Sequence, residues 1–188
     1  MEGTMLSRGE AGGCLSSTRP LFTRPKQIPL SQNQFAIVDD ADFKQLNKFK
    51  WYVIKPQTGG FVAARNTPRV KGKRRLVLMH RVIMNTPAGM DTDHRNHDTL
   101  DNQRHNLRVC TSSENKQNSL SRKGSSSEYK GVSWHKRTQK WQARIKINGK
   151  QQYLGIFSDE ETAARAYDRA ARELFGEFAH CNFPEKVA

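Results

Sequence analysis

From Ile28 onward, apolar and polar positions fall into short blocks with sharp ends. Phe35-Ala36-Ile37-Val38 is an apolar run closed by Asp39-Asp40, which predicts a strand and a turn. Phe43, Leu46 and Phe49 recur at three-residue spacing, which suits a short helix over 42–50. Trp51-Tyr52-Val53-Ile54 and Phe61-Val62-Ala63-Ala64 read as partner strands separated by a turn at Gly59-Gly60. Residues 76–84 (LVLMHRVIM) are the most apolar stretch, and their length fits either a buried strand or a short helix.

A loop over 85–91 leads to a polar, turn-like segment at 95–105. Asn106 to Cys110 then reads as a strand, and Thr111 or Ser112 can cap a helix holding Asn115 and Asn118 one turn apart. Residues 119–127 are a linker by composition. Beyond it the alternation has period two over Tyr129–His135, Trp141–Ile147 and Gln151–Phe157, with Asn148-Gly149 as a hairpin signal. A helix is expected from about Asp159 to Phe175, capped by a Ser158-x-x-Glu161 box and stopped by Gly176. Ala163, Tyr167, Ala170, Ala171 and Leu174 form its apolar face.

Charge narrows the function. The 188 residues contain 32 Lys or Arg against 18 Asp or Glu, a net charge of +14 that favours a polyanionic partner. No stretch approaches the roughly 20 apolar residues of a membrane span, and no secretory apolar core follows the N-terminus. Cys14, Cys110 and Cys181 are far apart, with no C-x-x-C pair, which argues against a cysteine zinc site and for a reducing compartment. Residues 1–26 read as a disordered basic tail.

The candidate chemistry lies in Asp93-His94, Asn106 and Asn115. Phosphodiester hydrolysis needs a base, in-line geometry and stabilisation of the departing oxygen. His94 is a base suited to neutral pH. Asp93 and Asn115 offer hard oxygens to a divalent cation, Mg²⁺ or Mn²⁺, and leave room for phosphate and water. His80 sits in an apolar run and is expected to be a core histidine.

Met79-His80-Arg81-Val82-Ile83-Met84, Thr92-Asp93-His94-Arg95-Asn96-His97-Asp98, Leu100-Asp101-Asn102, Asn106-Leu107-Arg108, Asn115 and Asn118 together resemble the HNH endonucleases, specifically the phage-type homing enzymes. The resemblance reaches upstream through residues 28–52. It implies a ββα-metal fold over 27–118, with Asp93 and Asn115 holding the metal and His94 as general base. By the same resemblance Asn106 positions the loop or base, Asn118 is a further candidate, and Arg81 and Arg108 touch phosphate. Two positions depart from the family pattern: Thr92 replaces an apolar residue, and His97 stands where a turn glycine is usual. A bulky residue at positive φ there would be strained.

The second half is electrically polarised. Residues 122–156 carry nine Lys or Arg and one acid, whereas 158–177 carry six acids and three Arg, so the sheet rather than the helix should face nucleic acid. Gln142, Arg144 and Lys146 fall on one side of their strand and Ala143, Ile145 and Ile147 on the other. Tyr129-Lys130-Gly131-Val132, Tyr153-Leu154-Gly155, Ala166-Tyr167-Asp168 and Asn182-Phe183-Pro184 resemble the ethylene-response-factor (Apetala-like) DNA-binding domain over 128–184. That implies major-groove readout by the sheet through Lys130, Ser133, His135, Arg144, Lys146, Gln151 and Tyr153. Lys130, Ser133 and Gln151 stand where the plant pattern has arginine, which implies a different or looser target.

The sequence therefore predicts an α+β chain: a nuclease region, a linker, and a three-stranded antiparallel sheet packed on one helix. Its expected action is metal-dependent cleavage of double-stranded DNA, as a monomer in the cytoplasm of a bacterial or phage-infected cell. The rivals are a catalytically silent DNA-binding regulator and a basic structural RNA-binding protein.

Overall fold

The computed structural model describes residues 24–56, 60–121 and 124–184. Most of the expected tail, 1–23, and Gly59 of the expected turn lie outside them; Lys26, assigned to the tail from sequence, opens the first strand.

The N-terminal half is a mixed α/β body of several small sheets. Strands β1 (Lys26–Pro29) and β2 (Phe35–Val38) form one antiparallel pair. Helix α1 (Asp40–Leu46) begins and ends earlier than the 42–50 spacing predicts. Strands β3 (Tyr52–Ile54), β4 (Val62–Asn66) and β5 (Leu76–Leu78) form a second, three-stranded sheet. The ambiguous 76–84 stretch is both things at once, because β5 runs directly into helix α2 (Met79–Ile83). One core unites these pieces: Ile28, Val38, Leu46, Trp51, Ala63, Met79, Ile83 and Leu107 are buried together. Trp51 Nε1 donates to the Leu46 carbonyl at 2.8 Å, so the indole is satisfied inside that core.

A third sheet carries the candidate chemistry. Strands β6 (Asp91–His94) and β7 (Leu107–Cys110) pair antiparallel, and helix α3 (Ser112–Asn118) follows. Thr111 caps α3 in a full capping box with Glu114. The loop between the strands is fastened to the body: Ile37 N donates to Leu100 O at 2.9 Å and Asn102 N to Ile37 O at 2.7 Å. The segment upstream of the nuclease motif thus works as a buttress for its loop.

The C-terminal half is a meander of β8 (Val132–His135), β9 (Lys140–Ile147) and β10 (Lys150–Phe157), backed by helix α4 (Glu160–Phe175). Asn148 and Gly149 both have positive φ, as a two-residue hairpin turn requires. The α4 cap is Asp159, whose carboxylate accepts from Thr162 N at 2.7 Å, rather than the expected Ser158 box. Leu174, expected on the buried face, is exposed, and Phe175 is buried in its place. Gly131 is indispensable here: at φ 79° a Cβ would lie 2.0 Å from the Tyr167 ring. A 3-10 turn (Gly176–Phe178) follows α4. The expected 119–127 linker is partly structured, since Ser126 Oγ accepts from Trp134 N and Ser127 Oγ from Tyr129 N.

Candidate functional site

Strand β6 alternates its side chains between two environments. Asp91 and Asp93 turn toward α3, where each carboxylate meets one amide. Asn115 Nδ2 donates to Asp91 at 3.2 Å, and Asn118 Nδ2 donates to both oxygens of Asp93 at 3.0 Å. The partner of Asp93 in this arrangement is therefore Asn118, one turn beyond Asn115. The Asn118 amide also reaches the His94 carbonyl at 3.1 Å, which fixes the end of the strand to the helix. Asp91 was not singled out in the sequence; its signal is the i, i+2 spacing with Asp93 on one strand face.

Asp93 has a second partner. Arg108, paired with it across the β6–β7 ladder, donates from Nε at 2.8 Å and Nη2 at 2.7 Å to the same carboxylate oxygen. Both side chains are about 7% exposed, so this is a buried ion pair. The Arg108 guanidinium lies 4.0 Å over the Phe178 ring and donates to the Glu177 carbonyl. Arg81 is likewise engaged within the protein, donating to Met90 O at 2.7 Å and Pro87 O at 3.1 Å. Neither arginine, expected on phosphate, has its head group free.

His94 faces the other way, into the body. Its ring stands edge-on to His80 at 5.1 Å, and its Nε2 has no hydrogen-bond partner among the described residues. Burial holds His94 below the usual imidazole range, against smaller upward pulls from Asn102, Asp93, Asp101 and Asp98. Burial, with help from His94 and Arg81, pushes His80 down to about 3. Both rings are thus neutral near pH 7, and a neutral imidazole is the form that can accept a proton. Asn102, included in the family motif without a role, is buried beside this pair, and its Oδ1 is also unpartnered among the described residues. Asn106 pins the intervening loop at two points: Nδ2 donates to Asp101 O at 2.8 Å and Oδ1 accepts from Asn96 N at 3.0 Å. His97 adopts φ 63°, the left-handed conformation that a glycine would take without strain.

The donor chemistry bears on a metal ion. Carboxylates and carboxamides are hard oxygen donors, the set that Mg²⁺ and Mn²⁺ prefer. Among the described residues no group of three His, Cys, Asp or Glu gathers around one point. A cation there would rest on fewer than three such groups, supplemented by amide oxygens, and at Asp93 it would compete with Arg108 for the carboxylate lone pairs.

The C-terminal sheet presents a second candidate surface. Its register puts Ser133 opposite Gln142, Tyr153 opposite Arg144 and Gln151 opposite Lys146. With His135 these form one outer face, on which Arg144, Lys146, Gln151 and Tyr153 are exposed. Ala143 and Ile145 line the inner face against α4. Lys130 does not join the outer face. Its ammonium donates to Gln117 O at 2.5 Å and Ser119 O at 2.6 Å, at the C-terminal end of α3. Burial pushes its pKa down to about 8.

Residues 77–117 match the HNH endonuclease family and residues 127–177 match the AP2 domain family. An HNH endonuclease of Acanthamoeba polyphaga mimivirus is 30% identical over 148 residues, covering 79% of this chain and 74% of the relative. APETALA2-like protein 2 of Oryza sativa subsp. japonica is 50% identical over 58 residues, which is 31% of this chain. The chain spans 13% of the length of that rice protein, so this likeness concerns the C-terminal module alone. No solved structure gives a significant match.

Proposed function

Because the chain belongs to the HNH endonuclease family and carries an AP2 DNA-binding domain, we propose that it is a metal-dependent endonuclease of the homing type acting on double-stranded DNA. The observation that supports this most directly is the β6–β7–α3 unit, which sets the Asp91 and Asp93 carboxylates and the His94 carbonyl against a helix bearing Asn115 and Asn118. In this reading the unit is a ββα-metal site.

Asp93 and Asn115 would hold the cation, with Asn118 steering the Asp93 carboxylate. When bound, the ion supplies charge stabilisation for the phosphate oxygens during attack. The residues do the rest. In this reading His94 is the base through Nε2, which is buried beside Asn102 and has to be opened to the attacking water before it can accept a proton. Its neutral state at pH 7 follows from burial. Asn106 keeps the loop closed over the strand ends, so the base stays positioned. The outer face of the C-terminal sheet, with Arg144, Lys146, Gln151 and Tyr153, enters the major groove and delivers the duplex to the site.

A second reading has one observation in its favour: Asp93 is neutralised by Arg108 and His94 is buried, an arrangement suited to a silent DNA-binding protein. Incubating the purified chain with supercoiled and relaxed plasmid, with Mg²⁺, with Mn²⁺ and with chelator, separates the two. The nuclease reading expects metal-dependent nicking or linearisation, reduced by about 10²–10⁴-fold in His94→Ala with duplex affinity nearly unchanged. Intact plasmid under every metal condition, with tight duplex binding, would establish the silent reading.

A further inference from the structure

Between Phe43 and Met90 the chain has eleven Lys or Arg and not one Asp or Glu. Five of those cations, Arg69, Lys71, Lys73, Arg74 and Arg75, lie within seven residues. They occupy the hairpin that joins β4 to β5, and this hairpin precedes the matched endonuclease segment, which starts at 77. Neither family match covers it.

The hairpin is an ordered element. Its ladder continues past the strands: Thr67 N donates to Arg75 O at 2.9 Å and Arg75 N to Thr67 Oγ1 at 3.0 Å. Val70 and Lys73 then exchange both backbone hydrogen bonds at 3.0 Å. Lys71 and Gly72, with φ of 49° and 73°, make a two-residue turn at the tip. Every residue from Pro68 to Leu76 is exposed. None of the five cations forms an ion pair among the described residues. Val70, at 70% exposure, puts an apolar side chain among them. From Asn66 to the tip the ribbon reaches roughly 15 Å beyond the sheet, at about 3.3 Å per residue.

We propose that this β4–β5 hairpin is a second duplex-DNA contact, in which a two-stranded basic ribbon enters a groove and grips the phosphates on the nuclease side of the cut. The proposal rests on the reading that the chain acts on double-stranded DNA. A two-stranded ribbon fits the major groove, and unpaired cations on both of its strands meet the flanking phosphates. The root of the hairpin is fixed: Arg65 lies 4.0 Å over the Phe49 ring, and β4 packs on α2 beside the β6 strand that carries Asp93-His94. The chain would then hold its substrate at two places, by the C-terminal sheet and by this ribbon.

The test compares the full chain with a hairpin variant, Lys71→Gln/Lys73→Gln/Arg74→Gln, and with a charge-matched control on α1 and just beyond it, Lys44→Gln/Lys48→Gln/Lys50→Gln. Affinity for a 40-base-pair mixed-sequence duplex is followed by fluorescence anisotropy across a salt series. Chelator is present throughout, so the result does not depend on cutting. The proposal expects the slope of log K against log salt to shrink by about 2–3 in the hairpin variant, at about 0.9 per phosphate contact, and by clearly less in the control. It also expects p-benzoylphenylalanine in place of Val70 to crosslink to the duplex on irradiation. An unchanged slope, an equal change in the control, or a greater loss for an RNA stem-loop than for the duplex would overturn it. A parent chain that binds no duplex would overturn the underlying reading as well, which tells the two failures apart.

Discussion

The Lys130 ammonium donates to the Gln117 carbonyl at 2.5 Å, so a side chain of the DNA-binding module closes the C-terminal end of the helix that carries Asn115 and Asn118. A cation at that end of a helix also satisfies carbonyls that lack partners and complements the helix dipole. The same interface includes Arg95 with Glu177 at 2.9 Å, His97 Nε2 with His180 Nδ1 at 3.1 Å, and Arg108 against Phe178. Together these contacts join the two modules directly and bypass the linker.

The first prediction concerns cleavage geometry. If these contacts register the modules, inserting four Gly-Ser residues at position 123 leaves the spacing between bound sequence and cut unchanged. Lys130→Ala, by contrast, spreads the cut over several positions. Mapping the ends of cleaved, end-labelled duplex checks both. A cut that moves with the insertion would return control of spacing to the linker.

A second prediction concerns the buried ion pair. Arg108→Met leaves the Asp93 carboxylate without its cation at about 7% exposure. Breaking a buried pair from one side costs about 3–5 kcal/mol, so the variant should unfold at markedly lower denaturant without metal. Millimolar Mn²⁺ should return part of that stability, because an ion at Asp93 replaces the lost charge. Equal denaturation midpoints with and without Mn²⁺ would remove Asp93 from the list of ligands.

How much of this the sequence makes legible follows from the range of each interaction. The β6–β7–α3 order and the three C-terminal strands were legible, because period-two alternation, Asn148-Gly149 and the Thr111 cap act within a few residues. His97 was legible too: a histidine in a glycine position announced the φ of 63° that the loop adopts. The α4 cap slipped by one residue because Ser158 and Asp159 are both capable caps, and local spacing does not choose between them. The partner of Asp93 was not legible. Whether Asn115 or Asn118 meets it depends on how α3 lies across the hairpin, which is a packing outcome. The Lys130 contact with α3 is not legible for the same reason, since a strand-flanking lysine reads as a DNA contact and only packing brings the other module to its ammonium.

The third prediction is a pH dependence of stability. Burial depresses His80 to about 3 and His180 to about 4, and it lowers His94 as well. A histidine with a folded-state pKa below its unfolded value near 6.5 binds its proton more readily in the unfolded chain. Its stabilising contribution is therefore full above pH 6.5 and is lost as the pH falls toward 4. The buried His80 contributes up to about 1.4 kcal/mol of lost stability per pH unit across that window, and the half-buried His180, screened by solvent, contributes less. Melting temperatures should be level from pH 8 to 7 and drop steeply from 6 to 4, with a shallower drop in His80→Gln. An identical acid limb in that variant would show that His80 is not buried neutral.

The fourth prediction weighs strain against contact at His97. Its left-handed backbone costs an L-residue about 1–2 kcal/mol relative to glycine. Its ring, in return, meets His180 across the interface between the modules. His97→Gly removes both terms, and they fall on different observables. The β6–β7 loop should tighten, visible as slower amide exchange at Asn96 and Asp98, whose backbone N–H groups are held by Asn106 and Asn96 side chains. The interface should loosen, visible as faster exchange around Cys181 and Asn182. His97→Ala keeps the strain and loses the contact, so it should loosen the interface without tightening the loop. If His97→Gly and His97→Ala behaved alike in the loop, the positive φ would carry no measurable strain, and the family glycine would be dispensable at that turn.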